Sequence, residues 1–125
     1  MSMKAMAYVS DMMDALALPY AYMRWTETTI PDVYFTGEYS EVPSTTKEEN
    51  GRQDVTIILR GFTRGDWLAL EEAKEKIERS CARTSVLPDG TGLAVFYDSA
   101  MPVPTGDAQL KSIKINLTIQ VWSVR

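Results

Sequence analysis

Apolar residues recur along this chain with two different periods, and the switches between them mark its elements. Met6, Val9, Met13 and Leu16 fall at spacings of three and four, which predicts an amphipathic helix over about residues 4–18, stopped by Pro19. From Tyr20 the period becomes two. Ala21, Met23 and Trp25 alternate with Tyr22 and Arg24, and after Pro31-Asp32 the residues Val33, Phe35 and Tyr39 alternate with Thr36 and Glu38, so two strands are expected. The stretch from Glu41 to Asp54 then turns polar, with Pro43, Ser44, Thr45, Glu48, Glu49 and Asn50-Gly51. It reads as a flexible connecting arm rather than an element.

Val55, Ile57 and Leu59 on one side and Ile58 and Phe62 on the other predict a third strand covered on both faces, with Arg60 in need of a partner. A second helix follows, capped by Thr63 or Asp66, with Trp67, Leu70, Ala73, Ile77 and Cys81 along its apolar side. Leu93, Val95 and Tyr97 mark a fourth strand, and Met101 to Asp107 a loop stiffened by Pro102 and Pro104. The final run is the clearest: Ile113, Ile115, Leu117, Ile119 and Val121 alternate with Ser112, Lys114, Asn116, Thr118 and Gln120. Such a strand spans on the order of 45 Å at about 3.3 Å per residue. A domain this small is not expected to cover it alone: either the strand is strongly bent, or part of it pairs with or packs against another chain. The fold class expected is α+β: one domain over residues 1–125, a mainly antiparallel or mixed sheet of about five strands packed by two helices.

Composition narrows the chemistry. The 125 residues carry 13 Lys+Arg against 17 Asp+Glu, a net charge of −4, with no histidine. A negative total argues against the basic face by which nucleic-acid binders displace counterions from phosphates. Without histidine there is no Ser-His-Asp or Cys-His arrangement, no imidazole acid or base, and none of the commonest zinc ligand. No Gly-rich phosphate cradle is present. No apolar run reaches the roughly 20 residues of a membrane span. One cysteine, Cys81, cannot make an internal disulfide, and no export signal opens the chain, so a cytoplasmic setting is expected.

Several motifs have bland readings that outweigh sharper ones. Arg64-Gly65-Asp66 spells an adhesion tripeptide but stands where a helix begins, and Asn116-Leu117-Thr118 fits a glycosylation pattern inside a strong strand. Cys81 falls on an apolar helix side with nothing to activate it. Glu38 with Glu41, or Asp98 with Asp107, are the carboxylate pairs from which acid/base chemistry could be built, yet turns and strand ends place acids there routinely. No catalytic residue, cofactor or metal is therefore assigned. The aromatic residues, with Trp25, Trp67, Trp122, Tyr20, Tyr22, Tyr34, Tyr39 and Tyr97 among them, exceed what one small core needs, and suit contact surfaces.

The order of elements resembles that of the tail-terminator, or tail-completion, proteins of long-tailed bacteriophages. Leu18-Pro19-Tyr20-Ala21-Tyr22, Gly61-Phe62-Thr63-Arg64-Gly65-Asp66-Trp67, and the stretch from Phe96-Tyr97-Asp98 through Pro102-Val103-Pro104-Thr105-Gly106-Asp107 to Ile113-Lys114-Ile115-Asn116-Leu117 carry the resemblance, which covers nearly the whole chain. It implies a non-enzymatic α/β domain that assembles into a hexameric ring, ends growth of the tail tube, and joins tail to head. The implied partners are copies of itself, the tube protein and the head-tail connector, first in the host cytoplasm and then in the virion. A ring needs a head-to-tail interface. Candidate contacts are Arg60 and Arg64 beside the second helix, pairing with Glu38, Glu41 or Glu49 either of a neighbour or within the chain, with Asp66 beside them, and the arm over 41–54 together with Pro102, Pro104 and Asp107 toward tube or head. Another phage neck protein, a small-ligand module with a pocket near Trp25 and Tyr97, and a carboxylate enzyme are the alternative readings.

Overall fold

The alternation of Ile113, Ile115, Leu117, Ile119 and Val121 puts all five side chains on one face of a single strand, and in the computed structural model all five are buried there. Around that strand the chain runs α1 (Ser2–Ala15), β1 (Tyr20–Tyr22), β2 (Val33–Glu41), β3 (Arg52–Thr63), α2 (Trp67–Ser80), β4 (Arg83–Val86), β5 (Gly92–Val103) and β6 (Lys111–Trp122). The structure describes residues 2–41, 52–81, 83–86 and 90–122. The strands form one mixed sheet in the order β1-β2-β3-β6-β5-β4, antiparallel except where β1 pairs parallel with β2. The α+β class holds, with six strands in place of about five; the addition is β4, too short and polar for alternation to reveal.

The length of β6 is matched inside the chain. It pairs over its whole length with β3, from Thr63 opposite Lys111 to Arg52 opposite Trp122, and with β5 on its other edge. The expectation that so small a domain could not cover this strand alone is therefore corrected. Three twelve-residue strands satisfy one another's backbone groups.

Both helices pack on one face. Ala5, Val9, Met12 and Met13 of α1 and Leu70, Ala73 and Ile77 of α2 join Phe35, Val55, Ile57, Leu59, Leu93, Val95 and the β6 residues in one core. The opposite face has no second layer among the described residues, so β3 is not covered on both sides. Ile58 and Phe62 there are half-buried by neighbours in the sheet: Phe62 stacks on Tyr34 at 5.2 Å, and Trp25 tilts against Tyr34 at 5.4 Å. Trp25 lies beyond β1, in the connection to β2. Trp67, expected toward the core, lies in the first turn of α2 and is partly exposed.

The helix ends follow local chemistry. Asp66 caps α2, accepting from Leu68 N–H at 3.3 Å, and Thr63 Oγ1 accepts from Gly65 N–H. α1 ends before Pro19, with Leu18 N–H donating to Met13 C=O and Ala17 N–H to Asp14 C=O. This is the paired-bond cap that normally carries glycine in its left-handed position; here Ala17 occupies it at φ 57°. The predicted helix to residue 18 thus includes the cap. The arm expected over 41–54 is trimmed at both ends, since Glu41 closes β2 and Arg52, Gln53 and Asp54 open β3; residues 42–51 lie outside the described residues.

Ala17→Gly should raise stability by about 1 kcal/mol, read as a higher urea midpoint at unchanged slope, because the left-handed backbone then carries no Cβ penalty. Gly61→Ala should lower it by about 1–3 kcal/mol, since a Cβ there would stand 2.5 Å from the Phe35 ring and 3.0 Å from Leu70 Cδ1.

Candidate functional site

The large apolar side chains left exposed include a set at each of the two opposite edges of the sheet, besides Trp67 and Leu68 at the start of α2 and Met23 and Ile30 between β1 and β2. At the β1-β2 edge, Met3 and Met6 of α1 lie with Tyr22 and Tyr39 around a groove of about 340 Å³. Met3 is 84% exposed and Tyr22 53%. Tyr39 lies opposite Ile57, so the groove opens on the helix-bearing face. At the β5-β4 edge, Val86 is 76% exposed and Met101 51%, with Phe96 also exposed. Phe96 pairs with Thr118 and Met101 with Lys114, positions that alternate with the buried residues of β6, so this second group lies on the open face. The two surfaces differ in both edge and face.

The β5 edge is shielded against strand addition. β4 pairs only with Gly92–Val95, so the rest of β5 has a neighbour on one side alone among the described residues. A register shift between Tyr97 and Ser99 breaks that edge, and Pro102, opposite Ile113, supplies no N–H. Pro102 thus belongs to a strand rather than a loop.

The predicted charged contacts are engaged within the chain. Nε and Nη2 of Arg60 donate to Glu38 Oε1 at 3.3 and 3.1 Å across β3 and β2, on the open face. Arg64 donates to Asp107 Oδ2 at 3.3 Å, and Lys111 Nζ to the Gly65 carbonyl at 2.8 Å. These two bonds tie the exposed connection of Pro104 to Leu110 to the start of α2. Within it, Asp107 Oδ1 accepts from Gln109 N–H at 2.9 Å, and Thr105 Oγ1 accepts from Asp107 N–H. The Gln109 bond, with Arg64 beside it, holds the Asp107 carboxyl below its usual range. Asp66 serves as the α2 cap, Glu41 ends β2, and Glu49 lies outside the described residues.

The carboxylates considered for catalysis have separate partners: Glu38 takes Arg60, Asp107 takes Arg64, and Asp98 accepts from Thr118 Oγ1 at 2.5 Å. No group of three or more His, Cys, Asp or Glu that could hold a metal ion occurs among the described residues, and no helix there is long and apolar enough to cross a membrane. Cys81 is buried at the end of α2, its Sγ 3.2 Å from the Ile77 carbonyl; burial pushes the thiol up from 9.0 to about 11. The groove at the β1-β2 edge escaped the periodicity reading because Met3, Tyr22 and Tyr39 sit at element ends. The aromatic surplus was the available signal.

No protein-family model and no curated protein matches the chain. Ten chains among solved structures do. One, which carries a sequence identifier in place of a descriptive name, shares the fold at a TM-score of 0.55 and 18% identity, over 87% of this chain and 82% of its own.

Arg60→Ala should cost no more than about 1 kcal/mol, since its pair with Glu38 is well exposed to solvent; chemical unfolding checks it. Stability should fall as pH rises above about 9 and on toward 11, because the unfolded Cys81 thiol ionises before the folded one. Burial raises Tyr20 in the same direction, to about 12. Urea midpoints measured against pH should flatten over the lower part of this window in Cys81→Ala.

Proposed function

We propose that this chain is a virion structural protein of a long-tailed bacteriophage, a ring-forming part that ends growth of the tail tube and joins the tail to the head. The observation that carries the reading is the pair of unlike apolar surfaces at opposite edges and on opposite faces of one small sheet. A closed ring above a dimer needs a patch that meets a different patch on the next copy. The groove of Met3, Met6, Tyr22 and Tyr39 on the helix side of one edge can overlap the Phe96 and Met101 surface on the open side of the other, as boards overlap in a lap joint. Repeated around an axis, such a joint gives a ring when its rotation closes, and six copies is the number the resemblance implies.

Within this reading the protein is not an enzyme and takes no cofactor. Its other partners are the tube protein and the head-tail connector, reached from the two rims of the ring. The exposed connection from Pro104 to Leu110, tied to the start of α2 by Arg64 and flanked by Lys111, is the candidate for such a contact. Assembly takes place in the host cytoplasm, and the product remains in the neck of the virion.

Light scattering and negative-stain images of the purified protein, alone and with tail tubes, should show closed rings of about six subunits. Met3→Lys and Met101→Lys should each prevent ring closure while leaving the fold intact. Mixed in equal amounts, the two variants should form pairs and stop there, because one good surface of each kind remains. Rings in either variant, or a mixture that stays monomeric, would overturn the reading; rings that seat on connectors but never on tubes would move it to another neck component.

A further inference from the structure

The segment joining β1 to β2 is built unlike the rest of the molecule. Arg24 N–H donates back to the Tyr22 carbonyl at 2.8 Å around Met23, whose φ is 70°. A bond closed over three residues with the central φ positive is the strained form of the γ-turn, and Met23 has no glycine-like freedom to adopt it. Beyond it, Arg24 and Thr26 to Ile30 are exposed, and Trp25 is anchored by its indole N–H to the Thr29 carbonyl at 3.0 Å. The strand before it is the weakest in the sheet: three residues, at an edge, in the one parallel pairing. Tyr20 Oη on that strand is buried over Gly37 without a hydrogen-bond partner, a group whose burial is costly.

We propose that residues 2–22, α1 with β1, are exchanged between copies of this chain, with Met23 to Asp32 as the hinge, so that β1 of one copy lies along β2 of the next. The inference rests on the chain associating with itself. The occupant fits by construction, because the same pairing of Tyr20 with Phe35 and Tyr22 with Gly37, and the same core contacts of Val9, Met12 and Met13, form in either arrangement. The bonds from Phe35 N–H to the Pro19 carbonyl and from Met23 N–H to the Gly37 carbonyl are regained too. What changes is the γ-turn, which opens to extended backbone. The reach is adequate: ten residues extend to about 33 Å, and six strands spaced about 4.8 Å apart make a sheet about 25 Å wide, to which one side-chain contact layer is added between copies. Because α1 is buried in the core, exchange takes place as chains fold together and not by release from a finished monomer.

Two cysteine variants in a Cys81→Ala background test this. Ala21 and Thr36 are directly opposite in the β1-β2 pairing, so Ala21→Cys on one chain and Thr36→Cys on another, refolded together and mildly oxidised, should give a covalent heterodimer in the oligomeric fraction. Met23→Gly, which removes the strain from the closed turn, should lower that yield about tenfold. Oligomers that form without the cross-link, while the double variant closes within single chains, would overturn exchange and leave the ring reading standing. Cross-linked species that stop at dimers would support exchange and remove the ring. A protein that stays monomeric and never cross-links would overturn both, and a yield unchanged in Met23→Gly would overturn Met23 as the hinge.

Discussion

Everything in this domain depends on β6 being hydrogen-bonded along both edges. It lies between β3 and β5, and its five alternating aliphatic side chains join β3 in the floor under α2, while α1 rests on β1, β2 and β3. Each side of the bargain supports the other: the paired backbone keeps the strand straight enough to align those side chains, and the buried face fixes the register. A slip of one residue would turn Ile115, Leu117 and Ile119 to solvent and bring Lys114, Asn116 and Thr118 under the helices. Because β3 and β6 are equal in length and paired end to end, such a slip would also leave an end residue of each without its partner.

With two helices and one sheet, the chain can cover only one face. The open face is stabilised by smaller local means: a stack of Trp25, Tyr34 and Phe62 at one corner, the Arg60–Glu38 pair near it, and the Asp98–Thr118 and Asn116–Ser99 bonds toward β5. These groups satisfy polar atoms without forming a second core. Exposed apolar side chains are confined largely to the flanks, where the sheet order ends. A broken edge and Pro102 make the backbone of β5 a poor template for an added strand there.

Strain is placed where the chain joins its parts. Ala17 and Met23 are the two non-glycine residues with positive φ among those described, and they bracket β1. The first is satisfied by two capping bonds to α1; the second closes a turn that only the β1-β2 connection requires. They flank the one strand that the sheet could lose without disturbing its centre. This connects the local backbone chemistry to the way copies of the chain can associate.

The periodicities of two and of three to four were sufficient to find both helices and the core side of β3 and β6, because burial of one face writes itself into the chain at short range, while the cap of α2 was left between Thr63 and Asp66. Arg60 was legible as a residue in need of a partner, and Glu38 was among the acids considered, although as a neighbour's. The rest depended on distant pairings. Nothing local distinguishes β4 from a loop, shows that β3 and β5 equal β6 in length, or tells that Pro102 stands on an unpaired edge. Nor could the pattern show that Trp67 faces outward, or that Met3 and Tyr39, 36 positions apart, share a groove. The sequence by itself determined which side chains must be buried and where backbone must turn. Only the tertiary structure decided which edges and which face stay open, because those are set by the order in which strands meet, and strand order is a property of contacts between residues far apart in the chain.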